Sequence, residues 1–146
     1  MSKEKDKYEA LKLKNQLCFP LYAASNAILR KYKPFLNKLD LTYTQYITMM
    51  VLWEKEYITY KELEEYLCLG SSTLTPVLNR LETKGYVERY RLEEDARNVI
   101  VMISEKGEEL KKEAVKIPRE IAKEFKLEQE EATELYRILY KLIESD

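Results

Sequence analysis

Two groups of residues in this chain are suited to chemistry: a lone cysteine among tyrosines, and a run of small hydroxyl residues followed by arginines. Cys18 lies in the segment Asn15-Gln16-Leu17-Cys18-Phe19, and Tyr22 follows four residues later, on the same face of a helix. Tyr32 is fourteen residues beyond Cys18, about 21 Å along a continuous helix rising about 1.5 Å per residue. It cannot reach the sulfur of its own chain. In an antiparallel pairing of protomers it would reach the partner's, and Tyr43 would join it. Phenol hydroxyls aimed at the sulfur, with Lys14 four residues before it, would stabilise a thiolate. A thiolate of this kind is open to oxidation to sulfenic acid by a peroxide. The neighbours Leu17, Phe19 and Leu21 favour an organic hydroperoxide with an apolar tail. On residue chemistry alone the competing account is that Cys18 is a buried, inert small hydrophobe. Cys68, among Tyr66, Leu67 and Leu69, is read in that second way.

The hydroxyl run is Ser71, Ser72, Thr73 and Thr75, with Arg80 and Lys84 after it. A tight turn, Leu69-Gly70-Ser71, separates two short helical patterns, as in a helix-turn-helix. The second helix of that motif offers its N-terminal residues to base edges in the major groove. Small hydroxyls can bond bases or phosphates there without blocking approach. After Gly85 the apolar period changes to two, which predicts strands over residues 86–91 and 98–103 joined by a polar hairpin over 92–97. Arg89, Arg91 and Arg97 lie on or beside this wing. An arginine at its tip suits the narrow minor groove, and Asp95 is placed to hold the Arg97 guanidinium. The alternative, a capped amphipathic helix with solvated arginines, is weakened by the hairpin that follows directly.

The elements that must position these residues follow from periodicity and caps. A long amphipathic helix is predicted over about 8–32, weakened just before Pro20 and ended by Pro34. A second runs over 44–55. Thr59, with Glu62 three residues on, caps a short third helix as a capping box. The fourth runs over about 72–84, and Gly85 stops it. Pro76 would be harmless there if Thr73 were the effective cap; otherwise it kinks the helix. Ser104 opens a fifth helix, interrupted near Pro118, and a last one covers about 128–144 with Leu135, Ile138, Leu139 and Leu142 along one side. The expected fold class is mainly α with a small β-hairpin. It forms a single domain over 1–146, in which a winged helix-turn-helix (44–103) is flanked by arms over 8–36 and 104–146.

Composition narrows the function. With 146 residues, 45% hydrophobic and 35% charged, the chain supports one core. Only 3 Gly and 4 Pro favour long helices over a many-stranded sheet. The absence of histidine removes Ser-His-Asp and Cys-His nucleophile pairs, H-E-x-x-H zinc sites and most zinc fingers. No glycine-rich phosphate loop is present. The expectation is therefore no enzyme, no metal and no cofactor. The net charge of −1 runs against nucleic-acid binding unless the charge is uneven. Residues 71–91 carry 4 basic and 2 acidic side chains, whereas 104–146 carry 9 and 12. No secretory signal precedes Cys18, no run approaches the ~18 apolar residues of a membrane span, and two cysteines make no disulfide framework. A soluble cytoplasmic protein is expected.

Together, Asn15-Gln16-Leu17-Cys18-Phe19, Tyr32-Lys33-Pro34, Leu41-Thr42-Tyr43-Thr44-Gln45-Tyr46, Ser72-Thr73-Leu74-Thr75-Pro76 and Glu93-Glu94-Asp95-Ala96-Arg97-Asn98 resemble the MarR family. Within it they are similar to the organic-hydroperoxide-sensing repressor branch (OhrR/SarZ-like). The resemblance implies a winged helix-turn-helix homodimer, joined through its terminal helices, that represses a pseudo-palindromic double-stranded DNA operator. It implies that Cys18 is the redox-sensing residue, that Tyr32 and Tyr43 bond it from the partner chain, and that Tyr22 lines the same pocket. It also assigns DNA contacts to Arg80 and to the wing pair Asp95 and Arg97. Oxidation to sulfenic acid and then to a disulfide releases the DNA. Gly70 stands where the family commonly has aspartate, and Pro20 where an aliphatic residue is usual. The C-terminal helices carry no cysteine, so either a low-molecular-weight thiol completes the disulfide or the sulfur overoxidises. Three other readings compete. One is the same fold answering a phenolic ligand, or not switched by redox. The others are a thiol peroxidase and a protein-binding module.

Overall fold

A computed structural model describes residues 7–95 and 98–145 of the chain. Its N-terminal stretch is not the continuous helix expected over 8–32. Two 3-10 turns, Glu9–Leu11 and Leu13–Asn15, come first. They are held by Asn15 Nδ2 donating to the Glu9 carbonyl (2.8 Å) and Gln16 Nε2 donating to the Ala10 carbonyl (2.5 Å). Helix α1 then spans Cys18–Asn37. Pro20 thus occupies its first turn, where a missing N–H costs no intrahelical bond. Pro34, expected to end the helix, lies inside it. The lost bond to the carbonyl four residues back is outweighed by the turn that follows, which buries Leu36 and packs Phe35 against the core.

Helix α2, Tyr43–Lys55, starts at a capping box: the Thr42 hydroxyl accepts from Gln45 N (3.3 Å) and Gln45 Oε1 accepts from Thr42 N (3.2 Å). A short strand β1, Tyr57–Thr59, was not anticipated; at three residues it is too short to show a period. Thr59 caps α3, Tyr60–Leu67, by accepting from Glu62 N at 3.1 Å. The turn into α4, Ser71–Thr83, places its left-handed residue at Cys68 (φ 54°), while Gly70 is the extended N-cap (φ −77°). Thr73 is therefore not the cap, and Pro76 lies inside the helix. Its missing N–H leaves the carbonyl of exposed Ser72 to water, while neighbouring Leu74, Val77 and Leu78 are buried and hold the helix in place.

Strands β2, Val87–Arg91, and β3, Val99–Ile103, form the hairpin, and the antiparallel sheet has the order β1-β3-β2. Ile58 and Arg89 both stand opposite Val101, on either side of the central strand. Helix α5, Glu105–Ala114, is capped by Ser104, whose hydroxyl accepts from Gly107 N (3.0 Å). Helices α6, Ile117–Ala122, with Pro118 in its first turn, and α7, Gln129–Glu144, complete the chain.

The core lies in the central part of the chain. Met49 and Leu52 of α2, Leu63 of α3, Leu74, Leu78 and Leu81 of α4, Val87 and Val101 are all fully buried. Burial at 74, 77, 78 and 81 gives α4 one fixed inner face and turns its other face outward. The Trp53 indole donates to the Gly107 carbonyl (2.9 Å) and ties α5 to α2. The arms differ from this centre. Helix α7 buries no residue, and its Leu135, Ile138 and Leu142 are 43%, 42% and 51% exposed.

Candidate nucleic-acid interface and thiol site

The outer face of α4 carries Ser71, Ser72, Thr73, Thr75 and Arg80, all exposed. Gly70 supplies no side-chain cap, so the first amides of the helix are left open at the same end. The Arg80 guanidinium forms no hydrogen bond or ion pair with the other described residues. The Thr75 hydroxyl meets the Tyr60 hydroxyl at 2.6 Å, across from the first helix of the motif. Sequence reasoning did not single out Tyr60: fifteen residues separate the pair, and no local pattern links them.

The structure separates the cations that the sequence grouped together. Lys84 Nζ donates to the Asp40 carbonyl and to Gln45 Oε1 (3.2 Å), and lies 3.5 Å from the Asp40 carboxylate. It binds the end of α4 to the α1–α2 corner and is engaged within the chain. Arg89 is engaged too. Its Nε donates to Glu82 Oε2 and its Nη2 to Asn79 Oδ1, each at 2.7 Å. It thereby fastens the wing strand to α4. The Arg89 guanidinium beside Glu82 holds that carboxyl below its ordinary value. Arg91 is exposed, and its side chain, like that of Arg80, has no partner among the described residues. Asp95 is exposed near the hairpin tip, and its carbonyl accepts from Asn98 N (2.9 Å). Arg97, and with it the expected Asp95–Arg97 pair, lies outside the described residues.

The thiol site is divided in a single chain. Cys18 is the first residue of α1 and is exposed, against the competing account of it as a buried hydrophobe; Cys68 is exposed too, which corrects the reading of that residue as buried. Their apolar neighbours do not bury them: Leu17, Phe19 and Leu21 are themselves exposed. Tyr22, one turn along α1, is exposed beside Cys18. Lys14 belongs to a separate 3-10 turn, so the shared helix face assumed for it does not exist. At the far end of α1, about 21 Å along its axis, Tyr32 packs edge-on against Tyr43 with ring centroids 5.0 Å apart. Tyr46 completes the cluster, 6.0 Å from Tyr32 and 6.3 Å from Tyr43, with Trp53 at 6.5 Å behind it. Burial, reinforced by Tyr32 and Tyr43, pushes the Tyr46 hydroxyl up to about 12; burial also raises Tyr32 and Tyr43. These phenols therefore stay protonated. Sequence reasoning gave Tyr46 no role at this site, although its spacing of three from Tyr43 places both on one helix face.

Two helices joined at a tight turn, the second with an open hydroxyl face and followed by a hairpin pinned to it, make this a winged helix-turn-helix regulator. The chain belongs to the family of SarA/Rot transcriptional regulators, whose model matches residues 30–114, and within the MarR type it falls with the organic-hydroperoxide and SarZ-like regulators. It is 45% identical over 140 residues to the organic hydroperoxide resistance transcriptional regulator of Bacillus subtilis, covering 96% of this chain and 95% of the relative. It is 39% identical over 142 residues to SarZ of Staphylococcus haemolyticus, covering 97% and 94%. Among solved structures, reduced AbfR of Staphylococcus epidermidis bound to DNA superposes with a TM-score of 0.77 at 31% identity, covering 95% of this chain and 97% of that one. No described helix is long and apolar enough to cross a membrane.

Proposed function

We propose that this protein is a homodimeric repressor that binds a pseudo-palindromic DNA duplex and releases it when an organic hydroperoxide oxidises Cys18. The observation that carries the reading is the outward face of α4, with open amides, small hydroxyls and an unpaired Arg80. The relatives known by peroxide resistance and by DNA binding support it. Ser71, Ser72, Thr73, Thr75 and Arg80 read the major groove; Arg91 and the wing tip with Asp95 and Arg97 meet the backbone or minor groove. Lys84 and Arg89 hold the reading head together and do not enter the contact set.

The unpartnered apolar face of α7 and the exposed Leu11, Leu13 and Leu17 of the N-terminal segment support pairing of two chains through their arms. Pairing also answers the division of the thiol site, by bringing Cys18 of one protomer to Tyr32 and Tyr43 of its partner. Attack of the Cys18 thiolate on the terminal peroxide oxygen breaks the O–O bond. The sulfur becomes a sulfenic acid, and the alcohol leaves after taking a proton from water. A low-molecular-weight thiol then displaces the hydroxyl as water to form a mixed disulfide. The reaction is stoichiometric, a switch and not a peroxidase turnover, and it belongs to the cytoplasm, where small thiols are abundant.

The test pairs intact-protein mass with DNA binding after one equivalent of cumene hydroperoxide. Oxygen gain at Cys18 should track loss of binding, and Cys18→Ser should bind DNA before and after treatment. Release of DNA from the serine variant would end the sensing account. A second reading, an effector ligand, draws on a cleft of about 560 Å³ between α1 and the α5–α6 junction. It is floored by Phe35, Leu39 and Ile117 and edged by Lys38 and Arg119. A phenolic acid that released DNA from Cys18→Ser would favour it.

A further inference from the structure

We infer that Tyr60 is a positioning residue for sequence reading: its phenol sets the Thr75 hydroxyl as a hydrogen-bond donor toward a base acceptor. The inference rests on the DNA-reading role of α4 proposed above.

Tyr60 is the first residue of α3, and its ring is half-buried against the core. The ring is therefore fixed, and it brings the hydroxyl oxygen within 2.6 Å of Thr75 Oγ1. Thr75 is exposed on the outer face of α4, one turn from the helix start. Tyr60 is the only hydrogen-bond partner of Thr75 Oγ1 among the described residues.

Either oxygen is chemically able to donate in such a pair. The two hydroxyls are not equivalent, however. A phenol is the more acidic and the stronger donor, while an alkyl hydroxyl oxygen is the better acceptor. The favoured arrangement is therefore Tyr60 O–H donating to Thr75 Oγ1. That occupies one acceptor position of Thr75 and leaves its proton to turn outward. A free threonine hydroxyl rotates and accepts or donates as the base demands, so it discriminates little. With one of its two acceptor positions taken by a fixed phenol, Thr75 is biased toward offering the duplex a donor. It then prefers guanine N7 or O6, adenine N7 or thymine O4 over the amino groups of adenine and cytosine. Specificity at this base pair is thus set by a residue that need not touch the DNA.

The experiment uses the full-length protein and a duplex selected by it from a randomised pool, long enough to hold two half-sites about one helical turn apart. Every base pair of each half-site is then substituted in turn. Tyr60→Phe keeps the ring and removes the donor, and a matching melting profile confirms that it folds. At one base pair per half-site its discrimination should fall by about 3- to 10-fold, the worth of one neutral hydrogen bond. Its binding to a scrambled duplex should match that of the native protein. Thr75→Val should lose discrimination at the same position. Adding Tyr60→Phe to Thr75→Val should then cost nothing more, because the phenol acts through that hydroxyl. Unchanged selectivity in Tyr60→Phe overturns the inference. So does an equal loss on scrambled DNA, or an effect that persists in the Thr75→Val background. If the native protein selects no duplex, the DNA-reading role falls and takes this inference with it. Selection by the native protein with an indifferent Tyr60→Phe overturns the inference alone.

Discussion

Arg89 and Arg91 lie two residues apart on the same wing strand, yet removing them should have different consequences. Arg89 makes two hydrogen bonds of 2.7 Å, one to Glu82 and one to Asn79, with its side chain 27% exposed and that of Glu82 44% exposed. An ion pair this accessible contributes about 0.2–1 kcal/mol. The bond from a charged donor to the amide oxygen adds about 1 kcal/mol. Arg89→Ala should therefore cost about 1–2 kcal/mol, a fall in Tm of roughly 3–8 °C for a chain of this size. The pH dependence has a definite sign. Arg89 holds the Glu82 carboxyl below its ordinary value of 4.5, so the contribution is present above that pH and is lost as pH falls through the lowered folded value. The destabilisation by Arg89→Ala should shrink accordingly in acid. On DNA the two variants should part. Each phosphate contact contributes about 0.9 to the slope of log K against log salt. Arg91→Ala should reduce the slope by about 1.8 for a dimer with both copies engaged, whereas Arg89→Ala should leave it unchanged while weakening binding by loosening the wing. Fluorescence anisotropy with a labelled duplex between about 50 and 200 mM salt reads both. A slope lowered equally by the two variants would refute the assignment of Arg89 as a fastener.

Further outcomes follow from the core, the phenol cluster and the arms. Gly107→Ala should destabilise by about 2–3 kcal/mol, because its Cβ would lie 2.3 Å from the Tyr86 carbonyl oxygen and 2.9 Å from Ile103 Cγ1; an unchanged Tm contradicts this. Unfolding free energy should decline as pH rises from about 10, where an unfolded phenol ionises, toward the Tyr46 value of about 12, because the folded state retains a proton that the unfolded chain loses. Tyr46→Phe should flatten that decline in denaturant titrations, and an identical alkaline slope would count against the burial argument. Ile138→Glu, on the exposed apolar face of α7, should yield monomers in sedimentation velocity while leaving the helical signal intact. A dimer that withstands it would require a different interface.

The sequence by itself determined the elements whose signals are local. Thr59 with Glu62 and Ser104 with Gly107 mark helix starts because a cap is a bond between residues three apart. The run 74, 77, 78, 81 set the inner face of α4, and with it the outward hydroxyls, because burial follows the helical period. Tertiary structure decided what depends on distant partners. Pro34 was carried inside α1 because burial of Leu36 outweighed one lost backbone bond. Which cations stayed unpaired was settled by Lys84 meeting Asp40, forty-four residues away, and by Arg89 meeting Glu82 on a different element. The coupling of Thr75 to Tyr60 and the gathering of Tyr46 with Tyr32 belong to the same group. Charge and hydroxyl content can be read along a chain, but whether a side chain is free to meet a ligand depends on neighbours that only packing brings within reach.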